Sequence, residues 1–170
     1  KQLHGIGGVM GGLDSGCSFD TKNVFVEVAL FDPISVTKTG RYLKLQSDAR
    51  YRFERGIDPT SIKWGLEAAT TMILDLCGGE VSKSVQTKIL EKKQTKIDFN
   101  TDKIKSLGGL DVPKAKQKSI LESLGFSVKE KSSIFNITVP NFRPDIEGEA
   151  DIVEEILRIY GFDHIPITNI

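Results

Sequence analysis

Each periodic run in this chain closes on a proline or glycine signal, so its elements have to be short and of both kinds. Asn23 to Phe31, NVFVEVALF, alternates β-branched and aromatic residues as far as Asp32-Pro33 and predicts a strand covered on both faces. Asp58-Pro59 reads as an N-cap followed by proline at the first helical position. From there Ile62, Leu66, Ala69, Ile73 and Leu76 keep helical spacing up to Gly78-Gly79, a helix that starts and stops on recognisable signals. Ser47 predicts the cap of a shorter helix, stopped by Gly56. Farther on, KIDF predicts a strand, and a helix from about Thr101 to Leu107 is stopped by Gly108-Gly109. Another helix opens at Pro113, carries Ile120, Leu121 and Leu124 on one side and ends at Gly125. FSVKE and IFNITVP then flank a polar turn as two strands.

The expected class is α+β: a partial mixed α/β domain over 1–90, then a small winged-helix-like domain over 91–170. The boundary is placed where EVSKSV gives way to the lysine-rich LEKKQTK, Leu90 to Lys96, because domain linkers fall in such polar passages. The opening KQLHGIGGVMGG, apolar and glycine-rich at once, reads as the start of a fragment. No basic leader precedes an apolar run and no window approaches a membrane span, so the expectation is a cytoplasmic chain with no membrane partner. Cys17 and Cys77 are too far apart for metal-ligand spacing and fit small core residues of a reducing compartment better than a disulfide.

The 23 basic and 23 acidic residues cancel, which leaves no overall field to steer the chain to nucleic acid. The balance hides polarity within the second half. Nine lysines lie between Lys88 and Lys118, whereas Asn141 to Ile170 sets seven acids against Arg143 and Arg158. At about 100° per residue, Asp151, Glu154, Glu155 and Arg158 share one face of the last helix, and Ile152, Val153, Ile156 and Leu157 take the other. One reading is a solvated face, its acids near the positive helix end and Arg158 paired with Glu154. The other is a hard-cation site of Asp151, Glu154 and Glu155 with Asp145 folded back from the loop, oxygen ligands that suit magnesium.

In the first half, Glu27 shares its predicted strand face with Phe25, Ala29 and Phe31, where a carboxylate needs a partner such as Arg41 or a ligand. GGVMGG, Gly7 to Gly12, permits close backbone approach but lacks the spacing of a dinucleotide or P-loop fingerprint. Arg50, Arg52 and Arg55 could meet phosphates or pair with Glu54. A stand-alone winged-helix nucleic-acid-binding module is the alternative these features leave open.

Taken together, GVMGG, VFVEVALFDPISVTKTGRYL, SDARYRFERGIDP and NFRPDIEGEADIVEEILRIYGFDHIP resemble the bacterial phenylalanyl-tRNA synthetase beta subunit, in that order and over nearly the whole chain. The resemblance covers the C-terminal part of the family's editing domain, to about Leu90, and the winged-helix-like domain after it. It implies a parent class II ligase, two alpha and two beta subunits, that charges tRNA with phenylalanine at the expense of ATP, and a fragment without that activity. It also implies an editing pocket for tRNA mischarged with tyrosine at Gly11, Glu27, Ser47 and Ala49. There Glu27 would recognise the tyrosine hydroxyl, and Ser47 stands where the family usually has threonine. Asp145, Asp151, Glu154 and Glu155 match the family's magnesium ligands, in a site shared with the alpha subunit.

Overall fold

The computed structural model describes residues 3–87 and 94–166. The chain separates into two compact units, Lys1–Lys92 and Lys93–Ile170. The boundary expected near Leu90 falls within 88–93, outside the described residues.

The first unit begins with a two-residue antiparallel hairpin, β1 (Gly5–Ile6) and β2 (Met10–Gly11), with Gly5 opposite Gly11. Gly8 takes φ 69° in its turn, a conformation that an L side chain resists. Three helices follow: α1 (Pro33–Leu43), α2 (Asp48–Phe53) and α3 (Ser61–Cys77). Local signals place them. Asp32 accepts the Ser35 amide at 2.8 Å and Pro33 fills the first helical position, so Asp32-Pro33 starts a helix where the sequence suggested only the end of a strand. At the other such pair the helix starts later than expected. Asp58 spends its carboxylate on the Thr60 amide and hydroxyl at 2.8 and 2.7 Å, and α3 begins at Ser61.

The predicted strand Asn23 to Phe31 is not one. Residues 21–32 carry no regular element, and no backbone hydrogen bond among the described residues engages 22–31. Alternation specifies a surface suited to a sheet, whereas a strand is held by its neighbour's ladder, and among the described residues none is laid beside this segment. Glu27 is consequently exposed rather than buried in aromatic company. Cys17 and Cys77, expected in the core, are exposed too. The unit has little core to offer them: among its described residues the buried apolar side chains are Val9, Val36 and Pro59.

The second unit is an antiparallel sheet of β3 (Lys96–Asn100), β4 (Ser127–Lys131) and β5 (Ile134–Thr138) in the order β3-β5-β4. It is completed by α4 (Lys103–Gly108), α5 (Lys114–Ser123) and α6 (Glu149–Tyr160). Period-two alternation turns Ile97, Phe99, Val128, Phe135 and Ile137 to one face, where they join Leu121, Ile152 and Ile156 in one cluster. Helix α4 lies so close to α6 that a Cβ on Gly108 would stand 2.7 Å from a methyl of Leu157. No helix of the described residues is long and apolar enough to cross a membrane.

Candidate functional site

Two constellations carry the residues that the sequence singled out, one in each unit. In the first, Ser47 is the N-cap of α2, its Oγ accepting the Arg50 amide at 3.0 Å. The same hydroxyl donates to the carbonyl of Val9, which is 1% exposed. The donor and one acceptor site of the hydroxyl are thereby engaged, and Ser47 binds α2 to the glycine hairpin two residues before Gly11. The glycines Gly7 and Gly8 press on the protein itself, against Phe31 and Val36, while a Cβ on Gly11 would meet nothing within 4 Å. Gly11 therefore offers open backbone. Ala49 lies exposed on α2. Glu27 stays apart: exposed in the irregular segment, it is joined to the other three by no hydrogen bond or ion pair among the described residues.

Sequence reasoning named Arg50 and its pairing with Glu54 but missed that this side chain is buried and organises the region. Arg50 is 6% exposed; its Nε donates to Glu54 at 3.1 Å and its Nη1 to the carbonyl of Leu45. Glu54 also takes Arg55 at 3.1 Å, so the pairing with Glu54 is made by Arg50 and Arg55. The available signal was Gly40, a glycine inside a helix, which marks close approach. What approaches is Arg50.

In the second unit the acids are divided among different duties. Arg143 grips Asp145 with Nε and Nη2, at 2.9 and 2.6 Å, and reaches Glu155 with Nη1 at 2.7 Å. Arg158 meets the same Glu155 oxygen at 2.7 Å. The ion pair expected between Arg158 and Glu154 is thus made to Glu155 instead, and Glu155 is 5% exposed rather than on a solvated face. The wheel misplaced it because the Arg143 loop covers that flank of α6. Hydrogen bonding from Arg143, then from Arg158, overcomes the desolvation and holds the Glu155 carboxyl down to about 2. Arg143 likewise lowers Asp145, and both carboxylates raise Arg143 in return. Asp151 points back to the start of α6, where Oδ2 accepts the amides of Glu147 and Gly148 at 2.8 Å each. Glu154 is exposed.

Among the described residues no group of three or more His, Cys, Asp or Glu side chains is arranged to hold a metal ion. Asp145 and Glu155 are spent on a shared arginine, Asp151 on a helix cap, and Glu154 is exposed, so as placed the four carboxylates are not gathered around one point. An arginine between two of the carboxylates satisfies the charge that a cation would otherwise neutralise.

Residues 1–78 match the family described as the B3/4 domain, and 97–162 match the tRNA synthetase B5 domain. Over 98% of its length the chain is 44% identical to the phenylalanine–tRNA ligase beta subunit of Bradyrhizobium diazoefficiens. The chain belongs to that family. To the beta subunit of Cereibacter sphaeroides it is 47% identical over 93% of its length, and to that of Bartonella quintana 47% over 94%. It spans 21%, 19% and 20% of these three relatives, about one fifth of each, and so corresponds to a segment of the subunit. An N-terminal fragment of the phenylalanyl-tRNA synthetase beta subunit from Pyrococcus horikoshii matches 41% of this chain and 20% of its own, at 29% identity and a TM-score of 0.38, too loose a superposition to bear on the fold. The stand-alone nucleic-acid-binding alternative is not favoured by these relatives.

Proposed function

We propose that the chain supplies an editing module and a docking module to a phenylalanine–tRNA ligase. The longer cytoplasmic protein, assembled with its alpha subunits in a heterotetramer, joins phenylalanine to its tRNA at the expense of ATP. The first unit, 1–90, receives tRNA mischarged with tyrosine at Gly11, Glu27, Ser47 and Ala49 and releases the amino acid by hydrolysis. The second unit, 91–170, takes the winged-helix-like role and faces the alpha subunit with its acidic helix. The observation that carries the reading is the two-domain order, B3/4 before B5, in a chain similar to beta subunits almost from end to end.

The chemistry of the first unit is consistent with that role. An exposed carboxylate at Glu27 is free to accept a phenolic O–H, and a site built to hydrogen-bond a hydroxyl discriminates strongly against the substrate that lacks one. Open backbone at Gly11 leaves room for an aminoacyl ester beside it. ATP belongs to the ligation step of the longer protein, and a magnesium ion at the boundary with the alpha subunit would be held by Asp145, Asp151, Glu154 and Glu155. The test is Glu27→Ala in the full-length subunit assembled with its partner: tyrosyl-tRNA should accumulate while phenylalanine charging stays within about twofold. An unchanged ratio of mischarged to correctly charged tRNA would remove Glu27 from the pocket and this reading with it.

A further inference from the structure

The region around Ser47 contains a buried cation that the proposed pocket does not use. Arg50 extends from α2 toward α1, and a Cβ built on Gly40 would fall inside its side chain, against Cδ, Nε and Cζ. A side chain at that position of α1 would have to displace the guanidinium from its path. At the far end the fork is spent on the carbonyl of Leu45, in the segment that joins α1 to α2, and on Glu54 one turn farther along α2. A planar guanidinium with fixed donors sets an orientation as well as a distance. It therefore fixes α2 both to α1 and to the connection from which α2 starts. The residue at that start is Ser47, held by the Arg50 amide on one side and holding Val9 of the hairpin on the other.

We propose that Arg50 is a positioning residue for the editing pocket: packed on Gly40 and bonded to Leu45 and Glu54, it sets the start of α2 so that Ser47 keeps the glycine hairpin, and with it Gly11, in place. Ser47 then acts as a tie, its hydroxyl proton given to Val9 while its oxygen accepts the Arg50 amide. Arg50 touches no substrate in this scheme. It acts through Ser47, and Gly40 acts through Arg50.

This inference rests on the editing reading, and its test separates the two. Gly40→Ala, Arg50→Met and the double variant are made in the full-length assembled enzyme, with phenylalanine charging as the folding control. Two quantities are read: amide hydrogen exchange in the peptide spanning Gly5 to Gly12, and kcat and KM for hydrolysis of tyrosyl-tRNA. Each single variant should speed hairpin exchange and lower kcat by about tenfold to a hundredfold, the scale on which small displacements act, with KM within about twofold. The double variant should resemble Arg50→Met alone, because residues acting through one contact are not additive. Unchanged exchange, exchange that rises without loss of hydrolysis, or additive effects would each overturn the proposal. A parent enzyme that does not hydrolyse tyrosyl-tRNA would overturn the editing reading and the proposal together, whatever the hairpin does.

Discussion

The two units of this chain are held together by different means. In the second, a continuous apolar cluster from Ile97 of β3 to Leu157 of α6 is closed off from water, and polar side chains act at its margin. In the first, Val9, Val36 and Pro59 are the buried apolar side chains among the described residues, and order comes from caps, glycine contacts and one buried arginine. Helix α3 shows the contrast most clearly: seventeen residues long, it has no buried side chain, whereas α6 with twelve buries Ile152, Val153, Glu155, Ile156 and Leu157. The low burial of the first unit belongs to a segment that spans about one fifth of its relatives, and the candidate sites of the two units differ in kind. The acidic site is a rigid edge of a packed body. The glycine-rich site depends on a few directional bonds.

That contrast can be broken by core truncation, where the effect is largest. Phe135→Ala, at a side chain 0% exposed on the central strand, should cost about 3–5 kcal/mol and unfold the second unit in urea well before the parent. Phe25→Ala, at 93% exposure in the first unit, should stay within about 0.5 kcal/mol. Equal losses would mean that the first unit has a core of its own.

The next effect separates two neighbouring carboxylates that the sequence could not tell apart. Glu155→Gln strips charged hydrogen bonds from Arg143 and Arg158 and should cost about 1.5–3 kcal/mol, while exposed Glu154→Gln should change stability by less than about 0.5 kcal/mol. Acid provides an independent check. Because the folded carboxyl of Glu155 sits near 2 against an ordinary 4.5, its contribution is present above the ordinary value and is lost as pH falls toward 2. Asp145, also lowered, acts in the same direction. Thermal unfolding followed by circular dichroism from pH 6 to pH 2 should show the parent losing more stability over that window than Glu155→Gln does. Parallel curves would remove the Arg143 network from the account.

The smallest effect concerns the first unit. Ser47→Ala removes the cap of α2 and should cost about 1 kcal/mol, with faster hydrogen exchange at the Arg50 amide and no change in the second unit. Exchange unaltered at Arg50 would mean that α2 is capped by other means.

How legible each unit was follows from the same contrast. The second unit's strands and helices were readable because period and breakers agreed: KIDF, FSVKE and IFNITVP became β3, β4 and β5, and Gly108-Gly109 and Gly125 stopped α4 and α5. In the first unit the same two letters, Asp-Pro, meant a helix start at Asp32-Pro33 and a turn before the start at Asp58-Pro59. Only the partner of the carboxylate decides between them, Ser35 in one case and Thr60 in the other. The Asn23 to Phe31 segment failed for a different reason, since alternation is a property of one segment and pairing a property of two. At the acidic helix, a wheel arranges side chains about an axis but cannot show that Arg143, from a loop, would cover Glu155. The Arg50 brace was hidden likewise, because Gly40 and Arg50 lie on different helices.

The strand order of the second unit also has a consequence in time. Strand β3 pairs not with its successor in sequence but with β5, register Phe99 to Phe135, so Thr101 to Ser133, with both intervening helices, must be made before β3 can be hydrogen-bonded. Chains emerge from the ribosome at about 5–20 residues per second, which leaves the apolar strand of Ile97 and Phe99 unpaired for seconds, and α6, the helix that covers it, emerges later still. The β4–β5 hairpin, being local, can form first and wait. Nascent β3 is therefore the stretch of this unit most in need of shelter during synthesis, and the polar residues Lys96, Asp98 and Asn100 that alternate with its apolar ones are well placed to keep it from pairing with the wrong edge.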